Sequence, residues 1–182
     1  VKKIFKLKKR PRNNPLIVHY HNIYQLKEDC HVNDNFLKLY KKFCPGPITF
    51  ILKLKNYSKI SKFVTNKKKN LAVRFPKHPL FRKLLKNLKY PLAAPSANIS
   101  TRLSSVQPSD VIEEFGSKIK YILNGGKCKI GVESTIINLT TKPKILRLGG
   151  LEISRLEKVL KKKIPLGTKV KKIVSPGQFH LH

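Results

Sequence analysis

The sequence predicts an α/β protein built on one open sheet. Short, branched apolar runs (Leu16–Val18, Ile48–Leu54, Leu71–Val73, Ile145–Leu148) alternate almost one for one with segments whose apolar residues recur at helical spacing. Polar and cationic residues each follow a short apolar strand, at Arg74, Ser96, Asn98, Ser134 and Arg147. The ligand crevice of an open α/β sheet lies in that position. With 182 residues, 40% of them apolar, the chain is long enough for one core.

Each element follows in order. Val1, Ile4, Phe5 and Lys8 share one face of an opening helix. Pro11 and Pro15 force Arg10–Pro15 into an extended or turning loop, and Leu16–Val18 follows as a short strand ending at His19. Phe36, Leu39, Tyr40 and Phe43 mark a helix that Pro45-Gly46-Pro47 ends. Ile48–Leu54 is a strand, and Asn56–Asn70 a lysine-rich excursion with room for a short helix. Leu71–Pro76 is a strand ending in Arg74. His78–Leu88 is a helix expected to turn Leu80, Phe81, Leu84, Leu85 and Leu88 inward. Leu92–Ala94 is a tight strand leading into Pro95–Ser100. Ser109 or Asp110 is the expected cap of the next helix, which Gly116 stops. Tyr121–Leu123, Val132–Leu139 and Ile145–Leu148 read as strands, and Ser154 with Glu157 has capping-box spacing at a last helix.

Charge narrows the partners. Forty Lys and Arg against nine acids give a net charge of +31, which favours polyanions. Much of that charge is lysine spread over every segment. Three widely separated cysteines fit neither a disulfide framework nor a zinc site and suit a reducing, cytoplasmic setting. No apolar run approaches the ~18 residues of a membrane span. Met is absent even at position 1, so the sequence is expected to begin downstream of a true start or from an alternative start codon.

No phosphate-binding Walker loop, dinucleotide fingerprint, metal motif or nucleophile elbow is present. Arginine forks match phosphates and carboxylates in two-point fashion, and Asn reads hydroxyls or base edges. Cations, amides and hydroxyls with few general bases suit reactions driven by orientation and charge stabilisation, such as nucleotidyl transfer to a carboxylate.

Six short blocks, in order, resemble the YrdC-type threonylcarbamoyl-adenylate synthases in their long form. These are Lys9-Arg10-Pro11 through His19, Pro45-Gly46-Pro47-Ile48-Thr49, Ala72–Pro79, Ser96-Ala97-Asn98-Ile99-Ser100, Glu133-Ser134-Thr135-Ile136 and Ile145-Leu146-Arg147. The resemblance implies a YrdC-like twisted open mixed sheet with flanking helices around a basic concave cavity. It also implies a nucleotidyltransferase of tRNA processing that converts L-threonine, bicarbonate and ATP to threonylcarbamoyl-AMP and pyrophosphate. Carried over, Arg10, Asn14, Asn98, Ser104 and Arg147 contact ATP, while His19, Arg74, Ser96 and Ser134 hold L-threonine. Mg2+ comes with the triphosphate. The family's opening strand has no counterpart here, and Ser175–His182 resembles the start of its interdomain linker. The expected organisation is therefore a domain over 1–163 and a linker start over 164–182, short of the family pattern at both ends. The rival expectation is a non-catalytic module of the same fold that binds double-stranded RNA or tRNA.

Overall fold

A computed structural model describes residues 1–129 and 131–167. Six strands form one mixed sheet: β1 (Ile17–His19), β2 (Ile48–Lys53), β3 (Asn70–Arg74), β4 (Leu92–Ala93), β5 (Thr135–Asn138) and β6 (Lys144–Arg147), in the order β4-β1-β3-β2-β5-β6. β1 runs parallel to β3, and β2 parallel to β5, while β4, β3/β2 and β6 pair antiparallel. Because β2 and β5 run against β1, β3 and β6, their amino ends meet the others' carboxyl ends at one edge.

Alternation along the strands gives the sheet two different faces. On one, Val18, Phe50, Val73 and Ile137 join a large core with Leu26, Phe36, Leu39, Leu156 and Leu160. These helical residues come from α2 (Ile23–Asp29), α3 (Asp34–Phe43) and α7 (Ile153–Leu160). Phe36 meets Phe50 edge-on at 5.0 Å, and each such buried ring contributes roughly 1.5–3 kcal/mol. The other face holds only a small cluster, Ile17, Ile51, Ala72 and Ile136. The next residues along those strands on this face are His19, Thr49, Arg74 and Ser134, so its apolar floor becomes polar at the edge.

Four further helices flank the sheet: α1 (Lys2–Leu7), α4 (Lys62–Thr65), α5 (Pro79–Asn87) and α6 (Pro108–Phe115). Three expectations are corrected. Tyr121–Leu123 forms no strand: Tyr121 is 81% exposed, and the run has no neighbouring strand to pair with. In α5 only Leu85 is buried, with Leu80 and Leu84 about 40% exposed, because the leucine stripe is wider than the helix's contact with the body. The caps also move. Gln107 precedes α6, and the Asp110 carboxylate accepts from the Gln107 and Val106 N–H groups. Glu157 accepts from the Ile164 N–H at 2.8 Å, closing the carboxyl end of α7 instead of capping its start. Helix α2 was not foreseen, since its cap is a lone Asn22 accepting from the Gln25 N–H. Among the described residues no helix is long and apolar enough to cross a membrane. The expected linker start, Ser175–His182, lies outside the described residues.

Candidate active site

The polar edge is one row of the sheet. Main-chain register aligns His19 with Arg74, Arg74 with Thr49, Thr49 with Ile136, and Ile136 with Arg147. An irregularity in the β5–β6 pairing lies between Ile136 and Ile137. It lets Leu146 pack on the small apolar cluster while the adjacent Arg147 reaches Ser134, a re-aiming that such irregularities commonly provide. Arg147 donates from Nη2 to Ser134 O at 2.8 Å and Oγ at 3.1 Å, and from Nε to Ser134 O at 3.1 Å. The Ser134 and Thr49 hydroxyls lie 2.7 Å apart, both fully buried. Ser134 therefore precedes its strand, contrary to the expectation that it follows one; the reversed direction of β5 brings it to the same edge.

His19 is buried, its ring 5.2 Å from that of Phe81 and its Nδ1 3.4 Å from Leu92 O. Burial, helped by the neighbouring Arg74 charge, pushes its pKa down to about 3. The imidazole is thus neutral. With Nδ1–H donated to the Leu92 carbonyl, Nε2 is left as an acceptor. Arg74 is also desolvated, which lowers its pKa, and its Nε is buried without a hydrogen-bond partner. A buried donor of this kind leaves an unmet demand for an anion.

A second cluster lies at the amino end of β1, in the α1–β1 loop and the turn after β4. β1 is only three residues, so the two clusters are on the order of 10 Å apart along the strand. Arg10 is folded onto its own loop: Nη2 donates to Asn14 Oδ1 at 2.7 Å and Pro15 O at 2.8 Å, and Nε to Asn14 O. Asn98 Nδ2 donates to Ile99 O and Arg102 O, which shapes its turn. The group that joins loop and turn is Lys8, buried at 4% exposure. Its Nζ donates to Ser96 O at 2.6 Å, to Asn98 O, and to Asn98 Oδ1 at 3.3 Å. Desolvation, then the Arg10 charge, pulls its pKa down to about 8.

Glu133 connects the two clusters. Its carboxylate lies 3.4 Å from Arg147 Nη2 and accepts from Ser104 Oγ at 3.3 Å. Desolvation lowers the pKa values of Lys8, Arg10, Arg74 and Arg147, and the Glu133 charge partly offsets that lowering at each. Desolvation dominates at Arg10 and lowers its pKa to about 10, which still leaves it charged at neutral pH.

The structure thus brings His19, Arg74, Ser134 and Arg147 into one row. It sets Arg10, Asn14, Ser96 and Asn98 around the Lys8 loop, and Ser104 beside Glu133. The positions not anticipated as site residues are Lys8, Thr49 and Glu133. Thr49 is an ordinary strand former within a branched run, and nothing distinguished Lys8 among so many lysines. A separate surface hollow of about 390 Å3, lined by Lys55, Lys62, Thr65 and Lys67 among others, lies toward the far end of the β2–β3 ladder. It has no carboxylate, and none of these site groups lines it.

Fold and site together define an α/β domain with arginines and hydroxyls gathered at one edge of an open mixed sheet. The chain belongs to the Sua5, YciO and YrdC family: its residues 1–149 match that family's model, whose description reads "Telomere recombination". It is 41% identical over 162 residues to a threonylcarbamoyl-AMP synthase of Pyrococcus abyssi, covering 88% of this chain and 47% of that protein. It is 38% identical to the Schizosaccharomyces pombe threonylcarbamoyl-AMP synthase, covering 85% of this chain and 43% of that one. The solved Pyrococcus abyssi Sua5 complexed with L-threonine superposes with a TM-score of 0.92 at 37% identity, over 98% of this chain and 54% of that one. The chain therefore spans about half the length of the curated relatives it matches.

Proposed function

We propose that this chain is an L-threonylcarbamoyladenylate synthase domain supplying tRNA N6-threonylcarbamoyladenosine formation in the cytoplasm. The observation that carries the reading is half-buried Arg74 with its buried, unpartnered Nε, in one row with a neutral His19 and the Ser134–Thr49 hydroxyl pair. An α-amino acid with a side-chain hydroxyl satisfies all three. Its carboxylate takes Arg74, its hydroxyl or amine takes His19 Nε2, and Ser134 fixes the remaining polar atom. The first step joins the threonine amine to bicarbonate carbon, releases water and leaves a carbamate. A carbamate oxygen then attacks the α-phosphorus of ATP, and pyrophosphate leaves with the electron pair of the broken P–O bond. Arg147 and Arg10, with Asn14, Asn98 and Ser104 as polar partners, stabilise the charge moving onto the phosphates. No general base is needed for this second step, because the carbamate is already anionic.

Among the described residues no group of three His, Cys, Asp or Glu side chains is placed to hold a metal. The donor set fits Mg2+ held by the triphosphate's own oxygens, with the Glu133 carboxylate 3.4 Å from Arg147 Nη2 and Ser104 Oγ beside that carboxylate. Bound in that way, Mg2+ would supply charge neutralisation to the phosphates.

The test is pyrophosphate release from ATP with L-threonine and bicarbonate, together with mass detection of the adenylate. Arg74→Met should lose threonine-dependent release by at least ~100-fold, consistent with loss of a charged hydrogen-bond pair worth ~1.5–3 kcal/mol and of orientation. ATP binding should persist in that variant. Tight tRNA binding at moderate salt, with neither threonine nor ATP bound, would favour the RNA-module reading instead.

A further inference from the structure

Glu133 stands among cations from several segments of the chain. The field of its carboxylate acts on Lys8, Arg10, Arg74 and Arg147, whereas Glu114 reaches Lys8 alone of these four. Glu114 is otherwise engaged with the Ile99 N–H and Arg102. Its backbone is fixed: the Gly150 N–H donates to Glu133 O at 2.9 Å, and Gly149 packs so closely that a Cβ there would lie 2.3 Å from the same oxygen. The carboxylate is held loosely. Its two contacts are long, 3.4 Å to Arg147 and 3.3 Å to Ser104, and its side chain is 44% exposed. Arg147, by contrast, has three shorter bonds to Ser134 that do not depend on Glu133. The carboxylate can swing out by its own torsions while the guanidinium stays in place.

We propose that Glu133 is a resident counter-anion: between Arg147 and Ser104 it occupies the place that a phosphate of the nucleotide takes on binding, and it yields that place to the incoming ligand. The proposal rests on the reading above that this site takes ATP. An empty site with four converging cations and no carboxylate would be self-repelling, and the chain's other charge makes this worse. Glu133 relieves that repulsion at a cost to nucleotide affinity. A triphosphate with several charged oxygens displaces it; a singly charged ligand does so poorly. Glu133 therefore acts as a specificity residue favouring polyanionic nucleotides.

The experiment compares wild type, Glu133→Gln and the charge-retaining Glu133→Asp by calorimetry with ATP and by melting without ligand. Glu133→Gln should bind ATP about tenfold tighter at low salt, with the gain shrinking as salt screens the site. Its ligand-free form should melt lower than wild type and be raised more than wild type by inorganic phosphate. Glu133→Asp should stay close to wild type in both measurements. Weaker ATP binding in Glu133→Gln would overturn the proposal by making Glu133 a direct ligand. Unchanged affinity together with unchanged melting would make it a bystander and overturn it equally. If wild type itself bound no ATP, the synthase reading would fall, and the ligand-free melting and phosphate measurements would still decide the counter-anion role.

Discussion

Replacing Gly149 by alanine tests whether the turn after β6 sets the position of Ser134. A Cβ at residue 149 would lie 2.3 Å from Glu133 O, 2.4 Å from Ser134 C and 2.5 Å from Thr135 N, all backbone atoms. Ordinary carbon contacts need about 3.5 Å, so one segment must move by about 1 Å. Three anchors resist. Gly150 N–H bonds Glu133 O at 2.9 Å, Thr135 N–H bonds Pro47 O at 3.0 Å, and the buried Thr135 hydroxyl exchanges bonds with Leu151 at 2.6 and 3.1 Å. Overpacking of this kind costs about 1–3 kcal/mol, or ~2–12 °C in a domain of this size. The functional loss should be larger in proportion, because a 1 Å displacement of an orienting group costs on the order of 100-fold in rate. Melting and threonine-dependent pyrophosphate release on the same preparation are the assay. A Gly149→Ala protein that melts within a degree of wild type and turns over normally would refute the claim that this close approach positions Ser134.

Two pH predictions follow from buried basic groups. His19 resists protonation in the fold, with a pKa near 3 against 6.5 in the open chain, so the unfolded state takes up the extra proton as pH falls through that window. Stability should therefore drop by about 2 kcal/mol between pH 7 and 5, and His19→Gln should flatten that slope in denaturant melts; equal slopes would refute it. Lys8 has the same sign in the alkaline range. Its pKa falls from 10.5 to about 8, so the unfolded chain holds the proton longer and stability should rise between about pH 8 and 10.5. Over that rise the ammonium that ties Ser96 O and Asn98 O to α1 is lost, so ATP affinity should weaken above pH 8 in wild type; Lys8→Met should be weak and flat throughout.

The site residues read most directly from sequence were those whose chemistry conflicts with their surroundings. Arg74 and Arg147 end apolar strands, and a guanidinium at such a place needs an anion, which singles out both as candidates without any tertiary information. Thr49 and Lys8 show the opposite situation. Thr49 sits in a continuous branched run where a β-branched hydroxyl residue is an ordinary strand former, and only its register opposite Arg74 and its 2.7 Å approach to Ser134 give it a role. Lys8 is one of 40 cations, and helical spacing placed it on the face carrying Ile4 and Phe5. It is buried there because three carbonyl oxygens from a turn some ninety residues away cage its Nζ, a long-range fact with no local signal. The Tyr121–Leu123 error has the same origin, since a β-like run becomes a strand only if an edge is free to receive it.

The two faces of the sheet explain why this domain carries so much uncompensated charge inside without losing its fold. The fully buried rings of Phe36, Phe50 and Phe75 lie on the helical side. The opposite face commits only four small or branched side chains to its floor. Desolvation penalties for Arg74, Arg147 and Arg10 therefore fall on a surface that contributes little to stability, next to a single movable carboxylate. A ligand bringing its own carboxylate and phosphates supplies the charge that face lacks, and by mass action its binding energy is returned as stability of the folded state. Under the function proposed above, the cations that would orient the reactants are also those whose desolvation a bound anion would offset.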